Sequence, residues 1–200
     1  MSESEMLTYE VRDRVAVLTM RRGPVNAVNF AFIEAIHEAW RRADKDPGVR
    51  AIVLTSAFDK AFSAGMDLDM IAGKGGAGLR AFLEKFYLET LDIQYRLTKP
   101  TIAAVNGRAR GAGVTLSITQ DIIVANEETD FGYPEIDLGL IPAIHFVHLP
   151  RQVGRHQAFE YLFTGDPIPA RKAETMGLIN YAVPKDQVLP KALAIAQRLV

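Results

Sequence analysis

Four short segments of this chain are apolar from end to end, and they limit its possible folds more than any other feature. Val15–Met20, Ala51–Thr55, Thr101–Val105 and Ile122–Ala125 are rich in strand formers and show no polar alternation. A strand with one wet face alternates, whereas a strand covered on both faces is continuously apolar. Segments of helical spacing lie between them. From Asn29, the residues Phe32, Ile33, Ile36 and Trp40 recur at helical steps, while Arg41, Arg42 and Lys45 face elsewhere. Asn29 suits the N-cap of that helix, and Asp46-Pro-Gly48 ends it. Strands alternating with helices imply an α/β fold with crossover connections.

The remaining punctuation completes the outline. Ala61 to Asp69 is a loop turning into a helix, and Lys74-Gly-Gly-Ala-Gly78 is glycine-rich and expected to be mobile. Helices are expected over about 79–97, 111–119, 150–163, 170–176 and 186–200, with a strand over 178–183. The last helix runs into Val200 with no cap or stop signal, so the chain is expected to have lost part of its tail. No internal repeat is visible.

Composition excludes several classes of function. The chain has 200 residues, 48% hydrophobic and 24% charged, which suits one folded domain and not a disordered chain. Its net charge of −1 argues against a nucleic-acid partner. It has no cysteine, which excludes disulfides, thiolate metal sites and a cysteine nucleophile, and no other metal site is indicated. The acidic start Met1-Ser-Glu-Ser-Glu-Met6 is unlike a signal peptide, and no apolar run approaches the roughly 20 residues of a membrane span. The expectation is a soluble, cytoplasmic protein with no membrane partner.

Chemistry is suggested at three places. Ala61-Phe-Ser-Ala-Gly-Met-Asp67 and Asn106-Gly-Arg-Ala-Arg-Gly-Ala-Gly-Val-Thr115 each follow a strand and enter a helix. Small residues at a helix start present free N–H groups, which suit a phosphate or a developing oxyanion. Plain tight turns are the alternative. The second turn is neither a dinucleotide fingerprint nor a Walker loop. The third place is Phe131-Gly-Tyr-Pro-Glu-Ile-Asp-Leu-Gly-Leu-Ile-Pro142, where Glu135 stands in apolar company. Desolvation there would raise its pKa and suit it to proton transfer. A salt-bridged or solvent-facing Glu is the alternative.

In this order, these segments resemble the crotonase superfamily, the enoyl-CoA hydratase/isomerase family. The matching stretches are Pro24-Val-Asn-Ala27, Ala61-Phe-Ser-Ala-Gly-Met-Asp-Leu68, Lys99-Pro-Thr-Ile-Ala-Ala-Val-Asn-Gly107, Gly111-Ala-Gly-Val-Thr-Leu116, Phe131 through Pro142, Leu162-Phe-Thr-Gly165, and Ala173 to Val183. They span nearly the whole chain. The resemblance implies an α/β fold, a crotonase-like spiral of ββα units over residues 1–200. It also implies a homotrimer or hexamer, with the trimer-forming helices expected to follow where this chain stops and so to be missing from it.

The same resemblance implies an acyl-CoA substrate, with coenzyme A part of that substrate and no separate cofactor. It assigns two oxyanion donors, the N–H groups of Met66 and Ala112, and an acid/base, Glu135. Thr115 falls where two-glutamate hydratases carry their other acid, so one-glutamate hydration or double-bond isomerisation is expected instead. Thr115 either positions a water or packs near the helix start. Ser63, Ala64, Gly65 and Gly111 are implied in the CoA and thioester path, and His145 as a pocket residue. Diene-shifting relatives use an acid at the position of Ala143, which is absent. Arg21 and Arg22 are candidates for CoA phosphates, with a solvated charge pair as the alternative. Arg108 and Arg110 depart from the family pattern and would meet a neighbouring subunit or an acidic substrate group. A non-catalytic acyl-CoA-binding or scaffold protein is the competing reading, favoured by Thr115.

Overall fold

The structure is a computed structural model that describes residues 6–70, 72, 75–142 and 144–200. The four apolar runs form the centre of a six-stranded sheet. Its strands are β1 (Leu7–Arg12), β2 (Val15–Met20), β3 (Ala51–Ser56), β5 (Thr101–Val105), β7 (Ile122–Asn126) and β10 (Tyr181–Val183), in that spatial order. β1 and β2 form an antiparallel hairpin, and every other pair in this sheet is parallel.

Side-chain alternation shows why the runs lack polar residues. Leu18, Ile52, Leu54, Ala103, Val105, Ile123 and Ala125 join the main core, while Val15, Val17, Ala51, Val53, Ile102, Ala104 and Val124 face the opposite way. The opposite face is covered by the last helix, α8 (Val188–Gln197), through Val188, Ala192 and Ala196. Both faces are therefore dry, as continuous apolar strands require.

A smaller sheet orders β4 (Ala61–Ser63), β6 (Arg108–Arg110), β8 (Asp130–Gly132) and β9 (Ile168–Pro169). Each of its first three strands follows directly on a strand of the large sheet: β3 leads to β4, β5 to β6 and β7 to β8. After β6 comes helix α4 (Ala112–Ile118), and after β8 a 3-10 turn over Pro134–Leu138. The strand, strand, helix unit thus recurs, and its repetition is the expected spiral.

The other helices are α1 (Phe30–Lys45), α2 (Gly75–Leu83), α3 (Thr90–Arg96), α5 (His145–Val153), α6 (Arg155–Thr164) and α7 (Ala170–Thr175). Asn29 caps α1 by accepting from Phe32 N–H at 2.9 Å. The segment read as one helix from 150 to 163 is two helices, with Pro150 inside α5 and Gly154 at φ 84° between α5 and α6. Between α2 and α3 the expected single helix is interrupted by a π-helical turn, Glu84–Glu89. Of the glycine-rich segment expected to be mobile, Lys74 lies outside the described residues, whereas Gly76, Ala77 and Gly78 are helical. The strand expected over 178–183 is confined to its last three residues, and β1 and the small sheet were not expected.

Candidate active site

The two glycine turns meet. Val28 N–H donates to Gly65 O at 2.7 Å, and Asp67 N–H donates to Val28 O at 2.9 Å. Gly65 and Asp67 therefore turn those groups toward Val28, and the Met66 N–H between them points the other way. Ala64 N–H donates to Val25 O, and Gly65 N–H donates to Ser63 Oγ. Ala112 opens α4, where a helix has no internal acceptor for its amide. Among the described residues, no protein acceptor takes the N–H of Met66 or of Ala112. A Cβ added to Gly65 would lie 3.6 Å from Ala112 N, which shows how closely the turns approach.

Asn26 holds the first turn in place. It sits at φ 52° and is fully buried. Its Nδ2 donates to Ser56 Oγ at 2.8 Å and Phe62 O at 2.9 Å, and its carbonyl accepts from Ser63 Oγ at 2.7 Å. Asn26→Ala strands the two buried partners of Nδ2, Ser56 Oγ and Phe62 O, at a left-handed backbone position. It is expected to lower stability by about 2–3 kcal/mol, read as a shift in urea midpoint.

Glu135 closes the site. Gly111, at φ 47°, has its Cα face turned to this carboxyl, so an added Cβ would fall 2.6 Å from Glu135 Oε1. Only glycine fits there at that backbone angle. Burial raises the Glu135 pKa above the ordinary carboxylate value, and its Oε2 is buried with no hydrogen-bond partner. A cavity of about 750 Å³ is lined by Ala64, Gly65, Met66, Gly111, Ala112 and Glu135, and further by Leu79, Phe82, Leu83, Leu140 and Ile144. Free amides, a poised carboxyl and a long apolar wall thus share one chamber.

Not every expected residue lines it. Ser63 lies beneath, bonded to Asn26 and Gly65. Thr115 and His145 stand behind the chamber, buried, with Thr115 Oγ1 and His145 Nε2 2.9 Å apart. His145 lines a separate, smaller cavity of about 220 Å³ and not the one holding Glu135. Arg22 is engaged by Asp67 at 2.6 Å and by Ala27 O. Arg108 and Arg110 converge on Asp130, which gives both an intramolecular partner. Ala143 lies outside the described residues. Tyr87, from the π-helical turn, lines the main cavity and was not singled out from the sequence. Its spacing with Phe82, Leu83 and Phe86 is that of a core face, which hides it.

Among the described residues, one trio has metal-ligand chemistry: Glu34, His37 and Glu89. Lys85 bonds both carboxylates and Arg41 bonds Glu89 at 2.8 Å, so the cluster is an internally neutralised ion-pair network. Burial lowers the His37 pKa to about 4, and burial lowers that of His145 to about 3. Both rings are neutral in the fold but protonate near 6.5 once unfolded. A depressed histidine favours the unfolded chain as pH falls, so stability present above pH 6.5 is lost on descending toward 4. At pH 4.5 each ring is expected to cost about 2–3 kcal/mol relative to pH 7.5. Urea titrations at both pH values check this, and His37→Gln should flatten the dependence.

Fold and site define a class: a ββα spiral carrying paired main-chain donors beside a half-buried carboxyl. The family model for enoyl-CoA hydratase/isomerase matches residues 10–200. The crotonyl-CoA hydratase of Syntrophomonas wolfei is 33% identical over 198 residues, covering 98% of this chain and 76% of the relative. The enoyl-CoA hydratase structure from Bacillus anthracis superposes with TM-score 0.91 at 30% identity, covering 97% of this chain and 76% of that one. Pseudomonas aeruginosa DspI superposes with TM-score 0.93 at 27% identity, covering 100% and 76%. The chain belongs to the enoyl-CoA hydratase/isomerase family, and its fold is the crotonase fold.

Proposed function

We propose that this protein forms and quenches the enolate of an acyl-CoA thioester, with the thioester oxygen held by Met66 and Ala112 N–H and with Glu135 as the single acid/base. The observation that carries this is the presence, on one cavity, of two amides without a partner among the described residues and one half-buried carboxyl. Oriented donors in a dry site stabilise charge that develops during reaction, without reorganising first. Glu135, its pKa raised by burial, can take a proton and return it near neutral pH.

The chemistry is reversible hydration of a 2-enoyl-CoA, or a double-bond shift along the acyl chain. Both use one carboxyl that carries a proton between two positions. The relatives' names favour hydration. The leucines and phenylalanine of the cavity suit a hydrocarbon acyl tail over a polar one. The test is a panel of 2-enoyl- and 3-enoyl-CoA thioesters of increasing chain length, with hydration followed by gain of mass and loss of conjugation and a double-bond shift of the 3-enoyl series by gain of conjugation at constant mass. Turnover of at least one series is expected. Tight binding of every thioester without turnover would favour the acyl-CoA-binding reading.

A further inference from the structure

Tyr87 lines the reacting chamber together with Glu135. Among the described residues, the polar side chains that line the cavity are Arg80, Glu84, Tyr87 and Glu135. Arg80 and Glu84 pair with each other at the surface, at 2.8 Å and with side chains 81% and 52% exposed. That leaves Tyr87 and Glu135 as the polar lining residues away from this surface pair.

The local backbone is built around this residue. Tyr87 sits within the π-helical turn Glu84–Glu89, which breaks the α-helical register between Leu83 and Thr90. Such turns are rare and occur frequently at functional sites. Behind Tyr87 stands a buried, uncharged support. Its ring meets the His145 ring edge to face, with centroids 6.2 Å apart, and Tyr133 packs on the same imidazole at 4.5 Å. His145 in turn holds Thr115 at 2.9 Å. Burial pushes the Tyr87 phenol up to about 12, the charge of Glu135 adds to the rise, and a hydrogen bond with Thr115 offsets part of it. The phenol therefore stays protonated across the working range.

We infer that Tyr87, seated by the Thr115–His145 pair, holds the water that Glu135 activates, so that this chain hydrates 2-enoyl-CoA with a glutamate–tyrosine pair. This rests on the enolate reading above. In the step, the Glu135 carboxylate takes one proton from the water. The water oxygen bonds to Cβ, and the Cα–Cβ π pair moves onto the thioester as the enolate. Glu135 then delivers its proton to Cα. The second water hydrogen stays on the new hydroxyl, Glu135 returns to its carboxylate, and the phenol keeps its proton throughout. Thr115 and His145 are positioning residues, because they act through Tyr87.

Two readouts separate this inference from the enolate reading. One is hydration of a 2-enoyl-CoA. The other is exchange of the α-protons of a saturated acyl-CoA in D2O, which needs Glu135 and the amides but no bound water. Tyr87→Phe removes one oxygen and keeps the ring packing. It is expected to lower kcat for hydration at least 10-fold while exchange stays within 3-fold of wild type. Thr115→Val is expected to lower hydration by a smaller factor, mainly in kcat, and to leave exchange unchanged. If Tyr87→Phe keeps full hydration, or loses both reactions equally, the assignment of Tyr87 is wrong. If Glu135→Gln keeps both reactions, the enolate reading itself is wrong.

Discussion

Glu135→Gln is expected to lower kcat on every thioester the protein turns over by about 10²–10⁴-fold, the usual contribution of a positioned acid/base. Glutamine keeps the shape of the side chain and its hydrogen-bonding capacity, but it cannot accept a proton. The change should leave KM within a few fold, because the amides and the apolar wall that bind the thioester are untouched. It should not unfold the protein. The carboxyl is half-buried and one of its oxygens lacks a partner, so ionised Glu135 carries a desolvation cost that glutamine removes. Stability is therefore expected to hold or to rise while activity collapses. Wild-type kcat/KM should fall on the acid side with an apparent pKa above that of an ordinary glutamate, since burial raises this group. A variant with full turnover would remove the base from the account.

Ala112→Pro is expected to have the next largest effect. The first position of a helix is where proline is best tolerated, since its fixed φ suits the helix and the missing N–H has no internal acceptor. Here that N–H is one of the two proposed oxyanion donors. Loss of one such donor costs about 10²–10³-fold in kcat. The ring atom that replaces the hydrogen also narrows the same spot. Thermal unfolding should change by a few degrees at most, because Gly111 precedes the substitution and Ala112 opens α4 without a backbone bond to lose. Preserved stability with lost turnover locates the defect at the thioester oxygen, and preserved turnover would show that this amide is idle.

What the sequence disclosed depended on how much side-chain pattern each element carries. The central strands were legible because burial on both faces leaves no room for polar residues, whereas their spatial order is set by contacts that no single run records. Helix α1 was legible through its apolar stripe and Asn29 cap. The small sheet was not. β4, β6 and β8 have three residues each, and β6 carries two arginines, so no periodicity could mark them. β1 escaped because it is an edge strand with an exposed end, Glu10 to Arg12. Pro150 was taken as a helix start, but it lies within α5, and the true break is Gly154.

At the site, the two turns and Glu135 were legible only as an ordered set. Their meeting depends on contacts between segments about 45 and 70 residues apart, which no local pattern records. Tyr87 was hidden for another reason. A residue at helical spacing among Leu83 and Phe86 is usually packed in the core, and here the same face that carries Leu79 and Leu83 lines the cavity. Thr115 was recognised as a departure from the two-acid pattern. Its bond to His145, 30 residues away, shows what occupies that space instead.

The most direct test is a crystal structure with an unreactive saturated acyl-CoA bound. The account predicts a thioester oxygen within about 3 Å of both Met66 N and Ala112 N, the normal range for such bonds. Glu135 should lie beside the α-carbon. A thioester oxygen that meets only one of those amides, or neither, or a Glu135 carboxyl turned away from the α-carbon, would contradict it.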